Sequence, residues 1–312
     1  MPAGDAGEKP ASLVPDEAFA ALGNETRMEI LRALGDADGP LSFSELYDRV
    51  DVGDSGQFTY HLDKLVAHFV RKTDEGYELR QSGIRVVEAV LSGAITETAV
   101  LDPMVLDFPC PYCGGPVEVS YQEERLLHRC RKCPGEIGGG RLPEGTFELG
   151  YLPPAGVEER TPEELVSASA TWAVTERVAM SNGVCPRCGG VVDHSVRVCE
   201  NHASAGICDV CKRRRAVFAD SECRNCPHEK GGVFPRLLLS EPRLRAFFDS
   251  KGVDLFALEF DDWDRFISYE EDVLGTEPFE ARFTFTIDED IITLTVDESL
   301  EVADIERDET EK

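Results

Sequence analysis

Six short ligand pairs constrain this chain more than any other feature. Cys110-x2-Cys113, Cys130-x2-Cys133, Cys185-x2-Cys188, Cys199-x2-His202, Cys208-x2-Cys211 and Cys223-x2-Cys226 use all eleven cysteines and one histidine. Two ligands at this spacing on a tight turn can face one ion, and two such turns close a tetrahedron around zinc. The twelve ligands therefore predict three four-coordinate zinc sites with no cysteine left over. Scattered buried thiols have no reason to close in that way. A site without an open position is structural, and its ~10–16 kcal/mol of metal-binding energy becomes folding energy. Iron in a rubredoxin-like site is the alternative metal.

The first two pairs are separated by sixteen residues, which suits a zinc-ribbon-like module. CPYC at 110–113 is also a dithiol sequence of glutaredoxin-like oxidoreductases, where a following helix lowers the first thiol's pKa. Here Gly114, Gly115 and Pro116 follow and oppose a helix. The remaining four pairs hide a repeat. Cys185 to Cys208 and Cys188 to Cys211 are offsets of 23, while Cys199 to Cys223 and His202 to Cys226 are offsets of 24. Sequential pairing, with each repeat unit holding its own ion, follows from that repeat. An interleaved pairing stays open, with Cys185, Cys188, Cys208 and Cys211 on one ion and Cys199, His202, Cys223 and Cys226 on the other. His194 and His228 read as surface residues.

Cysteines spent on metal imply a reducing compartment, where a disulfide framework would not persist. The start, MPAGDAGEKPASLVP, lacks the basic and apolar regions of a signal peptide, and no apolar run is long enough to span a bilayer. A cytoplasmic protein without membrane contact is expected. With 32 basic and 60 acidic side chains, the formal net charge is -28. The acids are spread among apolar residues rather than gathered in one tail, and hydrophobic residues still make up 42%. That pattern fits a folded protein of a salty, halophilic cytoplasm, where surface carboxylates hold water as salt screens repulsion.

At 312 residues the chain is long enough for several cores. The reading is α+β multidomain. Residues 1–14 are a disordered lead-in, 15–100 a helical domain without cysteines, and 101–160 a zinc-ribbon-like module with loop character at Gly138, Gly139 and Gly140. A connecting helix spans 161–182, started by Thr161, Pro162 and Glu164 as a capping box. Leu165, Ala168, Trp172 and Val178 form its expected buried stripe. A double zinc-knuckle module fills 183–232. The segment 233–305 is α+β, with a short helix in EPRLRAFFDSKG and a β-hairpin in FEARFTFTIDEDIITLTVD. Residues 306–312 are a frayed tail.

The helical domain begins with FAALGNETRMEILRALG, which buries Phe19, Leu22, Met28, Ile30, Leu31 and Leu34 and places Asn24 as a cap. SFSELYDRV supplies a second helix with Ser42 and Glu45 at capping-box spacing. DSGQFTYHLDKLVAHF supplies a third, with Phe58, Leu62, Leu65 and Phe69 on one stripe. Its other positions carry Ser55, Gln57, Thr59, Tyr60 and Lys64, which can bond to base edges or phosphates. Gln57 has a second use as capping partner of Asp54, Tyr60 could pack against the wing, and His61 beside the stripe reads as a packing histidine. VRKT, a DEG turn and YELR form two strands of a wing, and a helix runs through IRVVEAVLSGA. A polar third helix in such a trio is the one that enters the DNA major groove.

GNETRMEILRAL, SFSELYDRV, FTYHLDKL and the wing, in that order over about residues 16–98, closely resemble ArsR-type winged helix-turn-helix regulators, especially halophilic archaeal versions. The resemblance implies DNA contacts from Ser55, Gln57, Thr59, Tyr60 and Lys64, phosphate contacts from Arg71 and Lys72, and a homodimer with an interface including the helix after Ile84. The chain departs from that family in two ways. It has no cysteine in this domain for a thiolate metal sensor, and Ala67, His68 and Phe69 stand where a small, Gly-containing step is usual.

Two stretches are less acidic than their surroundings. Residues 55–85 are net +1, and residues 205–236, including Lys212, Arg213, Arg214 and Arg215, are net +3. The latter could grip phosphate or an acidic partner, or balance thiolate charge on a solvated strand. The expected function is a dimeric, sequence-specific transcription regulator of double-stranded DNA. The alternative is a general transcription-machinery adaptor resembling archaeal factor E, which binds polymerase or promoter without sequence readout. No open metal site, nucleophile–base pair or phosphate loop appears, so an enzyme is not expected.

Overall fold

The structure, a computed structural model, describes residues 14–66, 68–123, 125–136, 142–203, 206–256 and 260–308. Residues 1–13 of the expected lead-in, Ala67, Gly138 to Gly140 and residues 309–312 of the expected tail lie outside these. The protein is mixed α and β, with several small antiparallel sheets and clustered cysteines. It divides into two compact units, Met1–Glu97 and Thr98–Lys312.

The first unit contains helices α1 (Pro15–Leu22), α2 (Glu25–Gly35), α3 (Phe43–Tyr47) and α4 (Ser55–Leu65), hairpin strands β1 (Val70–Lys72) and β2 (Tyr77–Leu79), and helix α5 (Gln81–Leu91). Local sequence sets the starts of these helices. The Asn24 side chain accepts the Arg27 N–H at 3.2 Å, and Asp54 accepts the Gln57 N–H at 2.9 Å. Ser42 and Glu45 complete a reciprocal capping box. Each such cap satisfies donors that the helix leaves orphaned.

Ile30, Leu31, Leu46, Phe58, Leu62 and Leu65 are essentially inaccessible and form the centre of the first core. Phe58 meets Phe43 and Tyr47 edge-on at centroid distances of 5.1 and 5.2 Å. Phe69 joins that core from beyond the end of α4, and Leu41 bridges to Tyr77, extending the hairpin by one short segment. Gly83 lets α5 approach closely, since a Cβ there would stand 2.3 Å from the Phe69 carbonyl oxygen. Phe19 does not join the core: it is 75% exposed.

The second unit opens with a four-stranded meander, β3 (Leu101–Pro109), β4 (Pro116–Gln122), β5 (Arg125–Cys130) and β6 (Thr146–Tyr151). Helix α6 (Pro162–Ser181) follows, with the Thr161–Glu164 capping box in place. A three-stranded ribbon comes next: β7 (Val192–Val198), β8 (Val217–Cys223) and β9 (Glu229–Val233). After a 3-10 segment at Phe234–Ser240 come α7 (Pro242–Asp249) and α8 (Phe260–Ile267). A second four-stranded meander ends the unit: β10 (Tyr269–Thr276), β11 (Phe279–Ile287), β12 (Asp290–Val296) and β13 (Val302–Asp308).

The largest core lies between that last sheet and the helices before it. Strand β11 alternates buried Phe279, Ala281, Phe283, Phe285 and Ile287 with more exposed neighbours, as a half-buried strand should. Gly252, at a φ of 74°, follows α7 where a left-handed residue is needed.

Two expectations are corrected here. Trp172 is 38% exposed and takes no part in a buried stripe on α6. The helix instead meets three different cores along its length, through Leu165 and Val166, then Val174, then Met180. A strut whose buried face rotates between partners leaves no single helical stripe to find. Residues 306–308 are also not frayed, because β13 pairs Glu306 with Thr293 and Asp308 with Ile291. Ile305 packs against the core and helps anchor this acidic strand.

Candidate functional site

Three ligand clusters stand out, and in each the candidate ligand atoms all lie within 4.8 Å of one another. The first joins Cys110, Cys113, Cys130 and Cys133. The β4–β5 pairing builds it, since Val117 lies opposite Cys130 and thereby brings the turn before β4 beside the end of β5. Cys110 Sγ lies 3.7 Å from Cys133 Sγ, and Cys113 Sγ lies 3.5 Å from Cys130 Sγ.

The second and third clusters correct the sequential pairing expected from the repeat and differ from the interleaved alternative as well. Cys185, Cys188, Cys223 and Cys226 form one, and Cys199, His202, Cys208 and Cys211 form the other. The pairing is nested rather than sequential or interleaved. An antiparallel hairpin explains why: β7 and β8 run from Val192 opposite Cys223 to Val198 opposite Val217. Residues symmetric about the hairpin tip become neighbours, so the outermost ligand pairs meet at the open end and the innermost meet at the tip. The offsets of 23 and 24 residues describe similar local turns without describing which turns meet.

Those turns are alike in their hydrogen bonds. The N–H of Cys110, Cys185, Cys208 and Cys223 donates to the carbonyl of Gly115, Gly190, Arg213 and His228 respectively, at 2.8–3.0 Å. Gly114, Gly189 and Lys212 take positive φ values of 64°, 71° and 58° directly after a ligand. Lys212 thus adopts a conformation usually left to glycine. Backbone donors converge on sulfur in each cluster: Tyr112 N–H on Cys110, Lys132 N–H on Cys130, Asn225 N–H on Cys223 and Val210 N–H on Cys208, at 3.3–3.4 Å. Backbone N–H groups, those of Cys211 and Ala203 foremost, hold the Cys208 thiol down to about 6, while burial pushes Cys110 up.

These residues fit a tetrahedral metal ion. With Zn–S near 2.3 Å, the thiolate–thiolate edge of a tetrahedron is about 3.8 Å. The Cys185–Cys226 and Cys188–Cys223 separations of 3.7 and 3.5 Å fall near that value. His202 is prepared by its second nitrogen. Nε2 lies 3.1 Å from the Arg214 carbonyl, which can only accept, so Nε2 carries the proton and Nδ1 keeps its lone pair. That Nδ1 faces Cys211 Sγ at 3.4 Å. Four ligands closing each tetrahedron leave no place for substrate, so these sites can fasten loops.

The arginines after the Cys208–Cys211 knuckle bind the protein itself. Arg213 covers the Phe218 ring at 4.2 Å, Arg214 covers Tyr112 at 4.4 Å, and Arg215 covers Tyr269 at 3.9 Å. Arg214 also donates to the Gly135 carbonyl, and Arg215 to those of Ile267 and Tyr269. Sequence reading had left phosphate binding open here. Arginine with bonded carbonyls and a covered ring is instead a fastener, and exposed Lys212 is the remaining member of the run. His194 is half-buried against Ser221, and His228 is also half-buried.

Sequence patterns also missed a polar network. Buried Glu148 pairs with Arg236, Tyr112 Oη donates to buried Glu136 at 2.6 Å, and buried Glu176 takes Arg187 and Lys230. These partners are 11 to 88 residues apart with no local motif, so no spacing could reveal them.

In the first unit, Ser55, Gln57, Thr59, Tyr60 and Lys64 are all exposed on α4. Gln57, Tyr60 and Lys64 lie at i, i+3 and i+7 and share one stripe, whereas Ser55 and Thr59 form another. Lys64 Nζ sits 5.5 Å from the Tyr60 ring centre. The Thr59 hydroxyl is engaged with the Ser55 carbonyl at 2.8 Å. Arg71 is paired with Glu78 across the hairpin at 2.5 Å, and Lys72 lies over Tyr77. Buried His61 packs beside Tyr60.

Fold and clusters together define a mixed α and β protein with three potential four-ligand metal centres. A family model described as a domain of unknown function, DUF7351, matches residues 107–302, and a second of the same description, DUF7347, matches residues 15–90. The first spans more than half of the chain, which belongs to the DUF7351 family. No curated protein and no solved structure matches. Among the described residues, no helix is long and apolar enough to cross a membrane.

Proposed function

We propose that the protein is a sequence-specific regulator that binds double-stranded DNA through a winged helix-turn-helix in its first unit, and that its three clusters hold structural zinc. The observation carrying this is the order α2, α3, α4, hairpin, α5, with an exposed polar face on α4 and a buried face of Phe58, Leu62 and Leu65 joined by His61. A helix held that way by its neighbours can enter the major groove while the hairpin lies along the backbone. Gln57, Tyr60 and Lys64 are the proposed base-reading residues, Ser55 and Thr59 flank them, and Lys72 is the proposed phosphate contact. Arg71 reaches phosphate only by exchanging Glu78 for it. A homodimer through α5 is part of the proposal, since Leu91 and Ile95 are 57% and 71% exposed. The zinc-bearing unit serves assembly or sensing.

The test is a binding selection with random duplex DNA at molar salt, followed by Tyr60→Ala with Lys64→Ala. A recovered consensus that the double variant no longer binds, at unchanged metal content and fold, is expected. No consensus, together with co-purification of RNA polymerase, would refute the sequence-reading role.

A further inference from the structure

The second unit encloses a small cavity between α6, the first meander and α8, apart from the metal clusters. It is lined by His128, Glu148, Ser169, Arg177 and Arg236 and by an apolar wall that includes Ala173 and Phe266. It has room for more than one water and too little for a nucleotide. A polar corner beside an apolar wall is how small organic ligands are held.

The charges at that corner do not balance. Arg236 is taken by Glu148, with Nη1 at 3.2 Å from Oε1 and Nη2 on Oε2. Glu176, the next residue to Arg177, is buried and already holds Arg187 at 2.5 Å and Lys230 at 2.7 Å. Arg177 has no carboxylate within ion-pair distance among the described residues, and its hydrogen bond runs from Nη2 to the Gly231 carbonyl at 3.1 Å. Burial first, and then the charge of Arg236, pull the Arg177 pKa down to about 10, against a smaller opposing pull from Glu148 and Glu176, whose carboxylates are engaged by other cations. His128 is 2% exposed, and its Nε2 has no hydrogen-bond partner. Arg177, with no ion-pair partner among the described residues, and His128, with an unpartnered ring nitrogen, thus both border one small space.

We propose that this cavity binds a small organic monocarboxylate. Its carboxylate pairs with Arg177, within reach of Ser169 and His128, and its short alkyl body lies against Ala173 and Phe266. The apolar wall favours an alkyl acid over a bare inorganic ion. This site is independent of the DNA-binding proposal.

The experiment uses the full-length, metal-loaded protein. It is titrated calorimetrically with sodium acetate, propionate, butyrate and hexanoate at constant ionic strength, with sodium chloride as the inorganic arm. One saturable site is expected, tightening by up to about fourfold per added methylene and weakening again once the acid outgrows the cavity. Arg177→Gln should weaken binding at least about tenfold, the worth of a charge-assisted hydrogen bond, with metal content and thermal unfolding measured alongside. Ala173→Leu, which fills the apolar side and leaves the charges alone, should reverse the preference towards acetate. Binding without chain-length dependence and equal for chloride overturns the carboxylate assignment, as does the absence of saturable binding. Unchanged affinity in both variants overturns the location.

Discussion

Nested pairing of the last eight ligands can be tested by metal counting. The intact chain should hold three ions, one per cluster. Two double variants separate the topologies. Cys188→Ala with Cys223→Ala removes two ligands from one cluster, leaving the other two clusters whole. Cys188→Ala with Cys208→Ala damages two clusters and leaves only the first whole. After a mild chelator wash and elemental analysis, the expected contents are two ions and one ion. Interleaved pairing gives the reverse order, and sequential pairing gives one ion for both.

The energetic consequence should be just as distinct. A structural zinc site contributes about 10–16 kcal/mol, comparable with the ~5–15 kcal/mol that stabilises a whole domain. One cluster fastens the open end of the β7–β8 hairpin and the other its tip, so damage to both frees both ends of a ribbon with only three strands. A sheet that small is marginal without further support. The Cys188/Cys208 variant should therefore unfold the ribbon, while the Cys188/Cys223 variant keeps the tip closed around Cys199, His202, Cys208 and Cys211. Equal metal loss from both variants would refute the nesting.

Two further perturbations follow from the packing. Arg236→Ala leaves Glu148 buried without its counter-charge and should cost about 3–5 kcal/mol in chemical denaturation, whereas Arg236→Met with Glu148→Leu should recover most of the loss. Gly83→Ala would set a Cβ 2.3 Å from the Phe69 carbonyl oxygen and should destabilise the first unit by about 1–3 kcal/mol, seen as a lower thermal midpoint.

What the sequence revealed depended on how local the cause was. Helix starts at Asn24, Ser42, Asp54 and Thr161 were legible because a cap is a contact across three residues. The stripe Phe58, Leu62 and Leu65 was legible because one core receives all of it, while α6 defeated stripe-finding by touching three cores in turn. The twelve candidate ligands were found from spacing alone, since each knuckle is a local turn. Their assignment to clusters was not, because it is set by β7 pairing with β8, and only the strand-like VDHSVRV and AVFADSE on either side of the tip hinted at that. The polar network around Glu136, Glu148 and Glu176 left no pattern at all, because each of its contacts joins residues of different structural segments.

The placement of cations narrows how the proposed DNA contact can work. Counterion release normally supplies much of the affinity for DNA, and it scales with the number of phosphates neutralised. In a chain of net charge -28, the densest basic run is Lys212 to Arg215, yet Arg213, Arg214 and Arg215 are spent on rings and carbonyls of their own unit. On the first unit, Arg71 is paired with Glu78, which leaves Lys64 and Lys72 as the cations without an ion pair among the residues proposed to touch DNA. Two lysines per subunit give a shallow salt dependence, so selectivity has to come from Gln57 and Tyr60 at base edges and from the shape of the duplex. Such a contact loses little when salt rises to molar levels, which is where so acidic a surface is best hydrated. On that proposal, the surface charge and the sparse cations of the reading face fit one condition, high salt.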